Sequence, residues 1–299
     1  MTNAIGIDLG GTRIKAAVID AEGNILHQLF AATDDNEWSA GAAWKKAVAE
    51  TVKSLKKELN GNLISVGISA PGLPDENNRC IAFMPGRMQG LENFMWKEFL
   101  NEPAYVLNDA VAALMAEAKF GVAKNKKNVV MVTLGTGVGG AILIDGKLYQ
   151  GAFNKAGHIG HTAINDDEDC DVTGMPGSLE ECIGNYTVGK RSNGKFASTY
   201  ELLDAYRNGD QFAKEVWLKS VRRLAIGLSS VSNFVSPEAI ILSGGITQAG
   251  DDLFEPLKEY MNKYEWRPGG NKVEIMRASY GDLAGAIGVA SYAMSKDHS

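Results

Sequence analysis

A short pattern built around a glycine turn occurs twice in this chain, and it constrains the fold more than any other feature. Residues 8–20 read Asp-Leu-Gly-Gly-Thr-Arg-Ile-Lys-Ala-Ala-Val-Ile-Asp, and residues 133–145 read Thr-Leu-Gly-Thr-Gly-Val-Gly-Gly-Ala-Ile-Leu-Ile-Asp. The identical pairs are Leu9/Leu134, Gly10/Gly135, Ala16/Ala141, Ile19/Ile144 and Asp20/Asp145. Each copy predicts a strand, a tight turn and a second strand. The repeat indicates two related domains, and the alternative is a chance match over thirteen residues.

Apolar periodicity elsewhere alternates between strands and helices. Strands are predicted over residues 4–8, 63–69, 129–134 and 239–242. Helices are predicted over 44–59, 110–120 and 283–294, and a long one runs from Trp217 to Val235, where Pro237 closes it. Strands alternating with helices are typical of an α/β protein.

Three glycine loops follow predicted strands, namely Gly10-Gly11-Thr12, Gly135 to Gly140, and Gly244-Gly245. Glycine makes up 34 of 299 residues, about 11% against an average near 7%. Consecutive glycine N–H groups can converge on an anion such as phosphate. One loop alone favours a plain tight turn, whereas three after strands favour phosphate binding. The chain has no Gly-x-x-x-x-Gly-Lys-Ser/Thr motif, and a strand follows the second loop where a dinucleotide fold needs a helix, so hydride transfer is not predicted.

Acidic residues stand at two of the predicted strand ends. Asp8 precedes the first glycine loop, where a carboxylate can hold Mg²⁺ directly or through water, and the alternative is a turn-capping aspartate. Asn108-Asp109 lies between a strand and a helix, where Asp109 can accept the proton of an attacking hydroxyl while Asn108 positions the acceptor. The alternative for this pair is a helix N-cap.

Charge and cysteine content exclude several classes of protein. The formal net charge of −6 argues against sequence-independent nucleic-acid binding, which depends on neutralising phosphates. Three scattered cysteines form no CxxC pair, which favours a reducing, cytoplasmic setting. The N-terminus has no basic segment typical of a targeting peptide, and the apolar stretch 128–144 contains a glycine turn, so no membrane helix is predicted.

The ordered set of short motifs resembles the ROK family (repressors, open reading frames, sugar kinases) of the actin/hexokinase superfamily. The motifs are Asp8-Leu-Gly-Gly-Thr, Ala70-Pro71-Gly72, Asn108-Asp109, the Gly135–Gly140 loop, Gly157-His158-Ile159-Gly160-His161 and Ser243-Gly244-Gly245. The resemblance extends from residue 4 to about residue 290. Each motif alone is weak, but their order is specific.

The resemblance implies the fold. It predicts two actin-like (ribonuclease H-like) α/β domains, each with the duplicated hairpin as a phosphate-binding core, and a cleft between them. The N-terminal domain would cover residues 1–110 and be rejoined by about 281–299, and the larger C-terminal domain would cover 111–280. Family members often form dimers, so a homodimer is compatible with the resemblance.

The resemblance also implies ligands for the motifs. ATP would bind through its phosphates and adenosine to Gly10, Gly11, Thr12, Thr136, Gly137, Gly139, Gly244 and Gly245. Asp8 would support Mg²⁺, and Asp109 would be the general base on a sugar hydroxyl. The sugar would contact Gly72, Asn108, Asp109, His158, His161 and Glu180.

The chain departs from the family pattern after the second histidine of the Gly-His-Ile-Gly-His motif. ROK proteins usually carry Cys-x-Cys-Gly-x-x-Gly-Cys-x-Glu there and bind a structural zinc with that histidine. Aligned on Gly174, Gly177 and Glu180, the three cysteine positions hold Asp171, Thr173 and Ser178. These are poor zinc ligands or none. The sequence therefore predicts no structural zinc and leaves His161 to serve the sugar alone.

His158 is the second departure, because many family glucokinases have glutamate at this position. Some N-acetylmannosamine kinases of the family also read Gly-His-Ile-Gly-His. A glutamate accepts two hydroxyl hydrogen bonds, whereas a neutral histidine accepts one and donates one, which alters sugar preference. The alternative is that His158 only packs.

Together these observations predict an ATP-dependent, glucokinase-like hexose kinase that phosphorylates a sugar hydroxyl, the 6-hydroxyl by resemblance. The first alternative is an N-acetylmannosamine or other amino-sugar kinase. Alternatives of another class are a sugar-responsive ROK transcriptional regulator, which would need a helix-turn-helix segment ahead of the phosphate loop, and a non-catalytic sugar sensor.

Overall fold

The computed structural model describes residues 3–33, 43–59, 63–84, 88–166 and 170–296. The chain divides into two compact units. Unit 1 consists of Met1–Asn125, Gln150–Lys155 and Ser279–Ser299, and unit 2 consists of Lys126–Tyr149 and Ala156–Ala278. The domain boundaries at residues 110 and 281 given above stay a prediction.

Strands and helices alternate along the chain, as the sequence predicted. The strands are β1 (Asn3–Leu9), β2 (Arg13–Ile19), β3 (Ile25–Ala32), β4 (Leu63–Ala70), β5 (Leu73–Pro74), β6 (Ile81–Phe83), β7 (Ala104–Asn108), β8 (Val129–Leu134), β9 (Val138–Ile144), β10 (Lys147–Tyr149), β11 (Ala239–Ser243) and β12 (Glu274–Arg277). The helices are α1 (Ala43–Glu58), α2 (Trp96–Leu100), α3 (Asp109–Lys119), α4 (Leu179–Ile183), α5 (Val188–Arg191), α6 (Thr199–Arg207), α7 (Gln211–Val235), α8 (Asp251–Tyr264) and α9 (Ala284–Lys296). None of these helices combines the length and apolar content needed to cross a bilayer.

The two large sheets have the same topology. Unit 1 has the strand order β3-β2-β1-β4-β7, and unit 2 has the order β10-β9-β8-β11-β12. In each sheet the central strand pairs antiparallel with the strand that follows it and parallel with the strand on its other side. The duplicated hairpin and the α/β fold predicted from the sequence are therefore confirmed.

Parallel pairing in unit 1 gathers polar residues at one edge of its sheet. The register places Asp8 beside Ser69 and Ser69 beside Leu107, so the carboxyl ends of β1, β4 and β7 share that edge. The chain leaves β7 at Asn108 and enters α3 directly. Asp8 and Asp109, the two acidic residues predicted at strand ends, both lie at this edge.

Alternation along β1 supplies two apolar faces. Ile5 and Ile7 join Trp44 and Val48 of α1 in one core cluster. Ala4 faces the other way and packs with small residues of α9, which lets that helix lie close to the sheet. In unit 2 the long helix α7 covers β8 and β11, and its fully buried Leu224 and Leu228 belong to that unit's core. Helix α7 begins at Gln211, earlier than the apolar periodicity showed, because Asp210 caps its first turn.

Glu117 on α3 binds the segment that begins at Ser279, where the chain re-enters unit 1. Its side chain is buried (0% exposed). Its carboxylate accepts hydrogen bonds from Ser279 N at 2.6 Å, Ser279 Oγ at 2.8 Å, Tyr280 N at 3.0 Å and Val122 N at 3.0 Å. One carboxylate thus accepts from three backbone N–H groups in part-buried hydrogen bonds.

Replacing Glu117 with alanine is expected to lower the free energy of unfolding by about 2–4 kcal/mol, because four part-buried hydrogen bonds to one carboxylate are lost together. Urea denaturation of the variant and the parent measures the difference. Ser279→Ala is the matched control, since it removes one hydroxyl donor and should cost about 1 kcal/mol. A Glu117→Ala loss no larger than that of the control would contradict this role.

Candidate functional site

Asp8 lies at the carboxyl end of β1 and is held by residues of the adjacent strands. Its Oδ1 accepts a hydrogen bond from Ser69 Oγ at 2.9 Å, and its Oδ2 lies 3.8 Å from Lys15 Nζ. Burial raises the pKa of Asp8 to about 6, although Lys15 and Ser69 lower it, and the negative charge of Asp109 raises it further. Lys15 does not fully offset the cost of burying the Asp8 carboxylate, so a divalent cation would stabilise its ionised form. Carboxylate oxygens are also the ligands that Mg²⁺ prefers.

Asn108 and Asp109 begin α3. Asn108 is the N-cap, and its Oδ1 accepts hydrogen bonds from Ala110 N at 3.0 Å and Val111 N at 3.4 Å. Its Nδ2 donates to Gly72 O at 3.0 Å, which ties the Ala70–Gly72 turn to this helix. Asp109 occupies the first helical position and is exposed, with Oδ1 accepting from Ala110 N at 2.8 Å. The N-cap alternative therefore applies to Asn108, while the Asp109 carboxylate faces solvent at the sheet edge that carries Asp8.

The glycine loops of both units present backbone donors. Across the residues that the structure describes, no protein acceptor receives the N–H groups of Gly11, Thr12, Thr136 and Gly137. The Gly139 N–H differs, because it donates to Thr133 Oγ1 at 3.1 Å. Gly244 and Gly245 are exposed beyond the end of β11. Solvent-facing N–H groups in successive residues are the donors that a phosphate group requires.

Glu180 on α4 supports the second loop. Its Oε2 accepts a hydrogen bond from Val138 N at 2.8 Å, and the residue is only 7% exposed. A side chain at position 137 would place Cβ 2.1 Å from that same oxygen. Gly137 is therefore required for the carboxylate to lie against the loop. Glu180 thus stands in contact with a proposed phosphate loop, in addition to its predicted contact with sugar.

The Gly157–His161 segment packs tightly on β9. A Cβ at Gly160 would lie 1.9 Å from Val138 O, so only glycine fits there. The rings of His158 and His161 are 6.4 Å apart. Burial, and then the neighbouring His161, lowers the pKa of His158 below its ordinary value, which favours the neutral ring. His161 Nδ1 lies 2.9 Å from Asp171 Oδ2.

Two candidate residues have partners that were not predicted from the sequence. Lys15 lies opposite Asp8 in the antiparallel β1–β2 pair. This pairing could have been predicted from the position of the glycine turn, which sets the register of the hairpin. Asp171 pairs with His161 through a turn ten residues later, and no sequence pattern indicates that contact. In unit 1 the structure brings Asp8, Gly72, Asn108 and Asp109 to one sheet edge, and in unit 2 it brings His158, His161 and Glu180 to the β9 side of the second loop.

Two five-stranded sheets of the same topology, each containing the glycine hairpin, are typical of the actin-like class of α/β proteins. A family model, described as "ROK family", matches residues 4–296. The chain therefore belongs to the ROK family, which confirms the resemblance drawn from the motifs.

Curated relatives of this chain include both enzymes and a regulator. A glucokinase of Streptomyces coelicolor is 29% identical, with 98% of each chain covered. A xylose repressor of Bacillus spizizenii is 27% identical, with 96% of this chain and 76% of the repressor covered.

Solved structures similar to this one include two kinases. A ROK hexokinase of Thermus thermophilus is 27% identical with a TM-score of 0.87, covering 99% of this chain and 100% of that one. A ROK glucokinase of Streptomyces griseus, solved with glucose and AMPPNP, is 26% identical with a TM-score of 0.80, covering 98% and 99%.

Proposed function

We propose that this protein is an ATP-dependent hexose kinase that transfers the γ-phosphoryl group of ATP to a sugar hydroxyl, specifically the 6-hydroxyl. The observation that carries the proposal is the exposed carboxylate of Asp109 at the sheet edge that also carries Asp8, close enough to raise the pKa of Asp8. The glucokinase and hexokinase relatives support the reaction class.

In this proposal Asp109 accepts the proton of the sugar hydroxyl as that oxygen attacks the γ-phosphorus. The new bond joins the sugar oxygen to the γ-phosphorus, and the bond from the γ-phosphorus to the bridging oxygen breaks, releasing ADP. The proposed donors to phosphate oxygens are the N–H groups of Gly11 and Thr12 in unit 1 and of Thr136 and Gly137 in unit 2, which have no protein acceptor among the described residues. Mg²⁺ brought with ATP would screen the phosphate charge, and Asp8 is the residue that would hold it.

The sugar ligands proposed in unit 2 are His158, His161 and Glu180, and those in unit 1 are Gly72 and Asn108. A neutral His158 has one donor and one acceptor. It can therefore bind two sugar hydroxyls, or one hydroxyl and the carbonyl of an acetamido group. This observation favours an amino-sugar kinase as the second candidate. Comparing kcat/KM for glucose, mannose, fructose, N-acetylglucosamine and N-acetylmannosamine tests both candidates.

His158→Glu is expected to raise the ratio of kcat/KM for glucose over that for N-acetylmannosamine about tenfold, because glutamate accepts from two hydroxyls and cannot donate to an acetamido group. Steady-state kinetics on both sugars measure the ratio. His27→Glu adds the same charge on β3 and serves as control. An unchanged ratio would mean that His158 only packs.

A regulator or a non-catalytic sensor is the alternative of another class. The proposal disfavours it because the phosphate-loop donors and the Asp109 carboxylate are both present. Titration calorimetry with MgATP distinguishes a kinase from a sensor. A protein that neither binds MgATP nor phosphorylates a sugar would exclude the hexose kinase.

A further inference from the structure

The segment after His161 is organised around one buried carboxylate. The side chain of Asp171 is 0% exposed, and that of His161 is 31% exposed. Asp171 Oδ1 accepts hydrogen bonds from Thr173 N at 2.8 Å, Thr173 Oγ1 at 2.7 Å and Met175 N at 3.1 Å. Asp171 Oδ2 accepts from His161 Nδ1 at 2.9 Å. This carboxylate therefore closes the 171–175 turn and joins it to the histidine.

His161, Asp171 and Glu180 are also the residues that would have to hold a metal here. Their ligand atoms lie within 4.8 Å of one another. A tetrahedral Zn²⁺ would keep its nitrogen and oxygen ligands about 3.3 Å apart, given metal–ligand distances of about 2.0–2.2 Å. The 2.9 Å between His161 Nδ1 and Asp171 Oδ2 is instead a hydrogen-bond distance.

Several of the other candidate ligand atoms also have hydrogen-bond partners within the protein. Glu180 Oε2 accepts from Val138 N, and both oxygens of Asp171 already accept hydrogen bonds. Ser178 Oγ accepts from Glu181 N at 3.3 Å as the N-cap of α4. These residues do not fit a structural zinc ion.

We propose that the Asp171 carboxylate takes the place of a structural metal in this chain, closing the 171–175 turn and orienting His161 without any ion. Each position that lacks a cysteine has its own part in this arrangement. Asp171 accepts the hydrogen bonds, Thr173 donates two of them, and Ser178 begins α4.

The arrangement fixes the tautomer of His161. An ionised carboxylate has no hydrogen to give, so His161 Nδ1 must carry the proton and donate it. Burial raises the pKa of Asp171, but the hydrogen bonds from Thr173 and His161 outweigh burial and lower it to about 2, so Asp171 is ionised at neutral pH. In the neutral ring, Nε2 is then the acceptor. Asp171 is thus a positioning residue, and its effect on sugar binding rests on the function proposed above.

The test compares two substitutions, one that is expected to change the tautomer of His161 and one that is expected to leave it unchanged. In Asp171→Asn, Oδ1 can keep its three donors while Nδ2 replaces a carboxylate oxygen with a donor facing His161 Nδ1. His161 is therefore expected to change from the Nδ1–H to the Nε2–H tautomer. Thr173→Val is the control, because it removes only the hydroxyl donor and should leave the tautomer unchanged.

Long-range ¹H–¹⁵N spectra of ¹⁵N-histidine protein read the tautomer directly, at a pH of about 8.5, two units above the ordinary histidine pKa. The chain has four histidines, and His161→Gln assigns the signal. The proposal expects a protonated Nδ1 in the parent and a protonated Nε2 in Asp171→Asn. The same tautomer in both proteins would overturn it.

Metal analysis supplies the second measurement. The purified protein is expected to contain far less than one zinc per chain, and a chelator should leave its melting temperature unchanged. Stoichiometric zinc, or a melting temperature that falls on chelation, would overturn the proposal.

Kinetics connect the tautomer to the sugar. If the parent phosphorylates a sugar, Asp171→Asn is expected to raise the KM for that sugar about 10- to 100-fold, because a donor replaces an acceptor, with a smaller change in kcat. A fall in kcat at unchanged KM would overturn the positioning role. If the parent phosphorylates no sugar, the proposed function fails, while the spectra and the metal analysis still decide the inference.

Discussion

Asparagine in place of Asp109 is expected to lower kcat for sugar phosphorylation by about 10²–10⁴-fold, because asparagine has the same shape but cannot accept a proton. The amide oxygen can still accept the hydrogen bond that Ala110 N now gives to Asp109 Oδ1, so α3 should begin unchanged. The KM for the sugar and for ATP should each stay within about threefold, since the lost interaction is made only in the transition state. A coupled ADP-release assay measures both constants.

Asp251→Asn is the matched control for this experiment. Asp251 is also an exposed aspartate at the first position of a helix, α8, and it has no part in the proposed chemistry. It should therefore show any effect of losing a negative charge at a helix start. Near-normal turnover in Asp109→Asn, or an equal loss in Asp251→Asn, would rule out Asp109 as the general base.

The order of strands and helices could be predicted because it depends on local patterns. The glycine turns sit between apolar runs, and the repeat at residues 8–20 and 133–145 reappears as the same hairpin in two sheets of the same topology. Asn108-Asp109 could be placed at a strand-to-helix junction for the same reason. The Asp8–Lys15 pair could also have been predicted, since the position of the turn sets the antiparallel register.

The contacts that complete the candidate site depend on tertiary packing, which short patterns do not encode. Glu180 reaches Val138 only because α4 packs beside the second loop, and the pair is 42 residues apart in sequence. Glu117 reaches Ser279 across 162 residues. Asp171 was recognised from the sequence only as a poor zinc ligand, because its four hydrogen bonds depend on how the 171–175 turn folds back toward His161.

Asparagine in place of Asp8 is expected to make the protein more stable and less active at the same time. Loss of the carboxylate should lower kcat/KM for MgATP by about 10²–10³-fold, because a group that stabilises charge on the transferred phosphoryl is gone. Stability should rise because burial raises the pKa of Asp8 from 3.8 to about 6, which means that the folded protein disfavours the ionised form. Asparagine can still accept the Ser69 hydroxyl, and Lys15 keeps Asp282 at 3.4 Å.

The sign of the pH dependence follows from proton binding. Between the unfolded pKa of 3.8 and the folded pKa of about 6, the folded state holds more protons on Asp8 than the unfolded state does. The free energy of unfolding of the parent therefore falls as pH rises through this window, and the loss is complete above about pH 6. The asparagine side chain of the Asp8→Asn variant does not titrate, so the stability advantage of the variant should be absent near pH 4 and should reach about 1–3 kcal/mol by pH 7.

Urea denaturation at a series of pH values measures this difference, with MgATP kinetics on the same preparations. Asp282→Asn is the control, because it removes a neighbouring carboxylate that is 70% exposed and should leave stability nearly unchanged. An Asp8→Asn variant that is less stable than the parent at pH 7 would mean that the Lys15 and Ser69 contacts outweigh burial. A more stable variant with full activity would show that Asp8 has no role in nucleotide binding. We expect the variant to be more stable and less active. This combination would show that the ionised carboxylate of Asp8 destabilises the folded protein, and that binding of the nucleotide and its cation offsets this loss.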